Sequence, residues 1–216
     1  MAWIGRPGDS RSRRNGRPRR QRWPQPNSRR LCPSMAEPGP ELPAGAELIA
    51  GEAEVDAAVR VWAERVNAAL QGEHWVLLAV MIGGMVPAVR LAAALRRDLV
   101  LDYCHLSRYR GREQGGEPVW LRRPPAELRG QRVLVVDDIF DRGTTLELVR
   151  GACEAAGAAQ VLTATLVRKR GSAEPGARAP DFCALEVPDR YVFGCGMDYR
   201  HHWRQLPAIY ALPEAG

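Results

Sequence analysis

An apolar run that ends in two adjacent acids constrains this chain more than any other segment. Residues 133–136 (Val-Leu-Val-Val) predict a buried strand, which Asp137 and Asp138 follow directly. Asp141 opens a short loop, and residues 143–145 (Gly-Thr-Thr) lead into an amphipathic helix. Ligands of an open parallel sheet bind just past the carboxyl ends of its strands, and a helix N-terminus attracts phosphate. The segment therefore predicts a site where a loop holds a phosphate while the acids face sugar hydroxyls and a divalent metal ion.

The segment Val135–Thr145 resembles the signature of the phosphoribosyltransferases, which is a hydrophobic strand, two acids, two apolar residues, Asp, Thr, Gly, any residue and Thr. Arg142 stands where Thr is usual. The alternative is a plain strand–turn–helix capped by acids, but three acids with Gly-Thr-Thr exceed what a helix cap needs. The resemblance implies that Asp137 and Asp138 hold the ribose hydroxyls of phosphoribosyl pyrophosphate. It also implies that the 5′-phosphate lies on Arg142, Gly143, Thr144 and Thr145.

The positive charge of the chain is concentrated at its beginning. Residues 1–34 contain ten arginines and one acid, which gives this segment a charge of +9. The whole chain has a net charge of +6, so the remaining residues carry −3. Residues 1–46 are rich in Arg, Pro, Gly and Ser and predict a disordered tail, followed by one domain over 47–216. Three interpretations of the tail stay open: a segment outside the working protein with Met35 as the true start, an arm that binds nucleic acid, or a transit peptide.

Apolar periodicity after the tail alternates between helix and strand spacing. It predicts an α/β fold, a mostly parallel sheet flanked by helices with a small C-terminal hood, as the resemblance to type I phosphoribosyltransferases also implies. Residues 189–212 are aromatic and read as irregular. The predicted helices are 52–70, 85–96 and 145–156, and the predicted strands are 75–81, 99–105, 133–136, 160–167 and 182–187.

Cysteine spacing and hydropathy indicate the compartment in which the protein works. The five cysteines show no metal-ligand spacing, which indicates free thiols in a reducing compartment and predicts a cytoplasmic protein. No apolar run reaches the about 20 residues that span a membrane, so no membrane partner is expected.

Residues 83 and 84 form a second candidate phosphate contact. Gly83 and Gly84 follow the strand 75–81, where glycine lets backbone N–H groups approach a charged ligand. A Gly-Gly pair at a strand end is often just a turn. The resemblance places the pyrophosphate loop here and assigns Arg204 to the same group, although Ile82 stands where some relatives have Lys.

The segment 187–199 resembles the hood of the hypoxanthine-guanine phosphoribosyltransferases. The resemblance implies that Tyr191 stacks on a purine, that the backbone of Val192 reads the purine edge, and that Asp198 binds a metal ion. The resemblance also implies that Lys169 donates to the 6-oxo group of the base, a role that suits a side chain which only donates hydrogen bonds. Arg168 is the alternative by a shift of one residue.

The resemblance also implies a mobile loop and an oligomer. Ser107 and Tyr109 would begin a loop that closes over the site, with Arg108 inserted between them. Relatives usually form dimers or tetramers, so a homo-oligomer is expected. Nucleic acid is not expected as a partner except through the tail.

These assignments predict a purine salvage enzyme. It would transfer the phosphoribosyl group of phosphoribosyl pyrophosphate to hypoxanthine or guanine, with Asp141 as general base and Mg²⁺ on Asp137 and Asp198. The alternatives are a xanthine-preferring transferase and a regulator that binds nucleotides or RNA with little catalysis.

Overall fold

The computed structural model describes residues 41–72, 74–107 and 118–213. The described residues from Leu42 onward belong to one compact unit. Most of the predicted tail, including Met35, lies outside the described residues, so the boundary at residue 46 stays a prediction.

The described residues form three α-helices and nine strands, whose order alternates as the sequence predicts. Each of the eight predicted elements is found: the strands 75–81 and 182–187 have the predicted bounds, and the ends of the other six differ by at most four residues. In chain order the elements are β1 (Glu47–Ala50), α1 (Glu52–Ala69), β2 (Trp75–Met81), α2 (Met85–Ala94), β3 (Leu99–Ser107), β4 (Val119–Arg122), β5 (Arg132–Phe140), α3 (Thr144–Ala155), β6 (Gln160–Lys169), β7 (Phe182–Val187), β8 (Val192–Phe193) and β9 (Ile209–Ala211).

The main sheet has six strands in the order β4-β3-β2-β5-β6-β7. The five strands from β3 to β7 in this order are parallel, and β4 is antiparallel to β3 at one edge. The prediction of a mostly parallel α/β sheet is therefore confirmed. Parallel strands that are adjacent in the sheet end at the same edge, so the ends of β2, β5 and β6 lie side by side.

Both faces of the sheet are buried. In β2, the residues Trp75, Leu77 and Ala79 pack into one core with α1, α2 and the hood. The alternate residues Val76, Leu78 and Val80 pack into a second core with α3. A strand covered on both faces reads as a continuous apolar run, which is why the sequence predicted β2 and β5 well.

A three-stranded antiparallel sheet in the order β1-β9-β8 forms the hood. The prediction that residues 189–212 are irregular is wrong at two places, because β8 and β9 lie there. Strands of two and three residues are too short to show alternation in the sequence. Arg190 holds the hood together, since its Nε donates to the carbonyl oxygen of Leu212 at 3.1 Å and its Nη1 pairs with Glu47 at 2.6 Å.

Four cysteines fall in the described residues, and all four are free thiols. Burial raises the pKa of Cys104 and Cys153 to about 12, so both thiols stay protonated at neutral pH. No described helix is long and apolar enough to cross a membrane.

We expect the substitution Leu134→Ala to lower the free energy of unfolding by about 2–5 kcal/mol, because it leaves a cavity in a fully buried position of β5. Chemical denaturation followed by circular dichroism measures the change. Leu121→Ala is the matched control, since Leu121 in β4 is 65% exposed and should change stability little. Equal losses in the two variants would contradict the assigned core.

Candidate active site

The acid pair lies inside a strand that is longer than the sequence predicted. β5 continues to Phe140, and Asp137 and Ile139 are paired with Thr165 and Val167 of β6. The carboxylates therefore project from regular, paired backbone at the carboxyl edge of the sheet. A site on a strand is held more rigidly than a site on a loop.

Asp137 and Asp138 are both largely withdrawn from solvent. Asp137 is 6% exposed, and its Oδ1 accepts a hydrogen bond from the backbone N–H of Asp138 at 2.9 Å. Burial raises the pKa of the Asp138 carboxyl above its ordinary value, while a hydrogen bond with Asp137 and the charge of Arg204 act in the opposite direction. Arg204 Nη1 lies 3.9 Å from Asp138 Oδ2. The acid pair thus has one cation close to it before any ligand binds.

The turn between β2 and α2 lies against this acid pair. A Cβ built on Gly83 would lie 1.8 Å from Asp138 Oδ2, and one built on Gly84 would lie 2.6 Å from the carbonyl oxygens of Val136 and Val80. The peptide bond between Met81 and Ile82, directly before the turn, is cis. Glycine is therefore required at both positions for the turn to reach the end of β5.

A cavity of about 350 Å³ opens above these groups, and it brings most of the predicted phosphoribosyl contacts together. Gly84 and Thr144 do not line it: Gly84 is the N-cap of α2, and Thr144 is the first residue of α3. Below, this space is called the donor cavity. Its polar or glycine lining is Gly83, Asp137, Asp138, Asp141, Arg142, Gly143, Thr145, Asp198 and Arg204.

The N-terminus of α3 forms one end of the donor cavity. Gly143 caps the helix with a φ of 93°, a left-handed conformation that favours glycine. The first-turn N–H groups of an α-helix have no partner within the helix, and they carry the positive end of its dipole. Thr145 adds a hydroxyl to the same wall. This end of the cavity is suited to an anion.

A second cavity, of about 200 Å³, adjoins the first and is called the base cavity. The two cavities share Asp138, Ile139, Asp141 and Asp198. Sequence reasoning missed two apolar residues of the base cavity, Ile139 and Met197. Ile139 could have been found, because it separates the acid pair from Asp141 in the signature. The base cavity is lined by Asp138, Ile139, Asp141, Lys169, Tyr191, Val192, Met197 and Asp198.

Lys169 lies in the base cavity, where its ammonium group contacts two carboxylates. Nζ donates to Asp141 Oδ2 at 3.0 Å and lies 3.5 Å from Asp189 Oδ1. Arg168, the alternative assignment, pairs with Glu186 and lines neither cavity. Adjacent residues of a strand point to opposite faces, which accounts for the difference.

The hood region supplies the aromatic group of the base cavity and one of its three acids, Asp198. Tyr191 is 48% exposed, and its ring makes an edge contact with Tyr199 at a centroid distance of 5.7 Å. Asp198 Oδ1 accepts a hydrogen bond from Arg204 Nη2 at 2.6 Å, and Asp198 Oδ2 accepts one from the backbone N–H of His201 at 2.8 Å. Both oxygens of Asp198 are therefore engaged, and a metal ion would share an oxygen with Arg204 or with the His201 N–H.

The structure does not test two other predicted features. Ser107 ends β3 and lines neither cavity, while Arg108 and Tyr109 lie outside the described residues, so the mobile loop stays a prediction. Within the described part of the chain, no group of three or more His, Cys, Asp and Glu residues is arranged to hold a metal ion. The carboxylates could thus supply only part of a coordination sphere.

Comparison with known proteins identifies the class to which this site belongs. The family model of the phosphoribosyl transferase domain matches residues 47–200. The hypoxanthine-guanine phosphoribosyltransferase of Rattus norvegicus is 30% identical over 155 residues, which cover 67% of this chain and 71% of the relative. That of Streptococcus pneumoniae is 28% identical over 144 residues, which cover 66% of this chain and 79% of the relative.

Solved structures show the same fold. The hypoxanthine phosphoribosyltransferase of Trypanosoma cruzi, in complex with its product IMP, has a TM-score of 0.71 at 24% identity and covers 81% of this chain and 98% of its own. A hypoxanthine-guanine phosphoribosyltransferase of Bacillus anthracis has a TM-score of 0.69 at 24% identity and covers 77% of this chain and 98% of its own. With the family model, the curated relatives and the matching fold, the chain belongs to the phosphoribosyltransferase family, in the branch of the hypoxanthine-guanine phosphoribosyltransferases.

Proposed function

We propose that the protein transfers the phosphoribosyl group of phosphoribosyl pyrophosphate to hypoxanthine or guanine, which yields IMP or GMP and pyrophosphate. One observation carries the proposal: Asp141 forms part of the wall common to the donor and base cavities and is hydrogen-bonded to Lys169. A carboxylate in that position can reach a purine in the base cavity while phosphoribosyl pyrophosphate lies in the donor cavity.

The donor cavity suits phosphoribosyl pyrophosphate because its lining offers groups for the phosphate, the ribose and the pyrophosphate. The 5′-phosphate would lie on the N-terminus of α3, held by Gly143, Thr144, Thr145 and the charge of Arg142. Asp137 and Asp138 would accept hydrogen bonds from the ribose hydroxyls. Pyrophosphate would lie between the Gly83–Gly84 turn and Arg204, whose guanidinium is 27% exposed and so can reach a ligand.

The base cavity suits a flat heterocycle with an oxygen at position 6. Half of the Tyr191 side chain is exposed and offers a ring face for stacking, and the Val192 backbone lies in the same wall. The Lys169 ammonium can donate to a 6-oxo group, whereas the 6-amino group of adenine would place two donors against each other.

In the reaction, purine N9 attacks the anomeric carbon of the sugar as the bond from that carbon to pyrophosphate breaks. The anomeric carbon becomes cationic in such a displacement. The purine N7 proton leaves in the same process, and Asp141 is placed to accept it as general base. The Lys169 ammonium has three N–H donors, so it can donate to the 6-oxo group and to Asp141 while that carboxylate takes the proton.

Mg²⁺ fits the donor cavity as a companion of the substrate. Carboxylates are the hard oxygen ligands that the ion takes, and it commonly keeps waters and substrate phosphate oxygens in its sphere. Asp137 and Asp198 would hold it from the protein side. When bound, the ion would neutralise charge on the departing pyrophosphate.

The reaction can be tested with phosphoribosyl pyrophosphate, Mg²⁺ and each of hypoxanthine, guanine, xanthine and adenine. We expect turnover of hypoxanthine or guanine but not adenine, and we expect Asp141→Asn to lower kcat by about 10²–10⁴-fold because the general base is lost. The KM for phosphoribosyl pyrophosphate should change far less. Nucleotide formation is followed by absorbance.

Asp98→Asn is the matched control for that assay, because Asp98 is 87% exposed on the loop before β3. Turnover restricted to xanthine would support the xanthine-preferring alternative. Binding of phosphoribosyl pyrophosphate without turnover of any base would favour the nucleotide- or RNA-binding regulator and contradict the proposed enzyme.

A second substitution distinguishes the two candidates for the 6-oxo donor. We expect Lys169→Met to raise the KM for hypoxanthine by about 10- to 100-fold, because a hydrogen bond from a charged group contributes about 1.5–3 kcal/mol. Arg168→Met should leave that KM close to the wild-type value, since Arg168 pairs with Glu186 outside both cavities. A large effect of Arg168→Met with none of Lys169→Met would reverse the assignment.

We also propose that the protein is a homo-oligomer that assembles through an apolar groove between α2 and β3. The groove has a volume of about 200 Å³ and includes the exposed side chains of Met85, Val89, Leu101 and Tyr103. Contiguous exposed apolar surface marks an interaction site, and homodimer interfaces are the more apolar class.

We expect Leu101→Glu to shift the protein from an oligomer to a monomer in sedimentation velocity, because it buries a charge in that interface. Leu121→Glu is the control, because Leu121 is 65% exposed and Leu101 is 61% exposed. It should leave the oligomer intact. An oligomer that persists in Leu101→Glu, or a wild type that is monomeric, would contradict this assembly.

A cytoplasmic location and a domain that starts near residue 47 complete the proposal. The four free thiols of the described residues are consistent with a reducing compartment. The residues assigned to substrates and catalysis lie between Gly83 and Arg204, so the proposed chemistry needs no part of the Arg-rich tail.

A further inference from the structure

The loop between β6 and β7 packs against residues 141–143, the segment that leads into α3. Ser172 Oγ donates to the carbonyl oxygen of Asp141 at 3.1 Å, and the backbone N–H of Glu174 donates to that of Arg142 at 3.2 Å. A Cβ built on Gly143 would lie 2.8 Å from the Cβ of Ala177. This loop, residues 171–178, is called the bracing loop below.

One side-chain contact links the bracing loop to the donor cavity. Arg142 Nη1 lies 3.9 Å from Glu174 Oε1, and the two side chains are 67% and 55% exposed. An exposed ion pair at this distance contributes about 0–1 kcal/mol, so it holds the guanidinium near the cavity without fixing it. Arg142 is also the residue that departs from the family signature, which has Thr at this position.

Resting on the proposed function, we propose that Glu174 is a positioning residue that competes with the 5′-phosphate for the guanidinium of Arg142. In the free protein, Glu174 neutralises Arg142 and keeps it beside the N-terminus of α3. When a 5′-phosphate binds, the guanidinium leaves Glu174 and pairs with the phosphate. Breaking the ion pair makes the binding free energy less favourable. Glu174 thereby lowers the affinity for the donor and for the nucleotide product alike.

The chemistry of the groups supports an exchange of partners. Arginine forms charge-assisted, bidentate hydrogen bonds with phosphate and with carboxylate, so one guanidinium can serve either anion. The arginine of the bracing loop, Arg178, has its own carboxylate, Asp181, at 3.6 Å. Arg142, just before α3, is the arginine that both contacts Glu174 and lines the donor cavity.

The substitution Glu174→Gln tests the inference while it keeps the backbone N–H that donates to Arg142. We expect it to tighten the binding of inosine 5′-monophosphate by about 2- to 5-fold in isothermal titration calorimetry, the range that an exposed ion pair allows. The KM for phosphoribosyl pyrophosphate should fall by a similar factor. Binding of inosine, which lacks the phosphate, should not change, because Arg142 has nothing to exchange for Glu174.

Glu64→Gln is the matched control, because Glu64 and Arg96 form an ion pair of similar exposure, 62% and 68%, on α1 and the end of α2. It should leave nucleotide affinity unchanged. In an Arg142→Gln background, Glu174→Gln should have no further effect on the affinity for inosine 5′-monophosphate.

Four results would overturn the inference. Weaker nucleotide binding in Glu174→Gln would make Glu174 a support of the loop, and equal tightening in both backgrounds would indicate simple repulsion between Glu174 and the phosphate. Unchanged affinity in Glu174→Gln, with a wild type that turns over hypoxanthine, would remove this inference alone. A wild type that neither binds inosine 5′-monophosphate nor turns over any base would remove the proposed function as well.

Discussion

The close approach of three backbone segments at glycines is the constraint on which the site depends. The Asp138 carboxylate occupies the space where a side chain of residue 83 would lie, and a Cβ on Gly196 would lie 2.2 Å from the carbonyl oxygen of Gly83. The turn after β2, the end of β5 and the hood therefore meet at contacts that only glycine permits. Close packing of the three segments at these glycines brings Asp138, Asp198 and Arg204 together in the lining of the donor cavity.

Arg204 links two of these segments, the hood and the end of β5, electrostatically. Its guanidinium donates to the carbonyl oxygen of Gly196 and to the Asp198 carboxylate, each at 2.6 Å, and lies 3.9 Å from Asp138. Burying several carboxylates close together is unfavourable because they lose water and repel one another. A cation among them offsets part of that cost. The same cation is the group proposed to meet pyrophosphate, so substrate binding and the integrity of the acid cluster depend on one side chain.

The sequence predicted those parts of the structure in which local pattern and chemistry coincide. The continuous apolar runs of β2 and β5 and the spacing in α1 identified the main sheet and its first helix, and the signature located the acids at the correct edge. The short strands β8 and β9 escaped because their pairing partners are distant in sequence. For the same reason the contact of Glu174 with Arg142 could not be read from the chain, since 31 intervening residues, including α3 and β6, separate the two.

The pairing of Lys169 with two carboxylates shows how one arrangement can serve both the free and the loaded site. A largely buried ammonium needs a counter-charge, and Asp141 supplies it at 3.0 Å. In the proposed reaction Asp141 accepts the purine N7 proton and becomes neutral, so Lys169 loses its nearest negative charge. Asp189, 3.5 Å from the same Nζ and more than half exposed, remains beside the ammonium. The second carboxylate therefore keeps a counter-charge beside the 13% exposed Lys169 side chain when Asp141 is protonated.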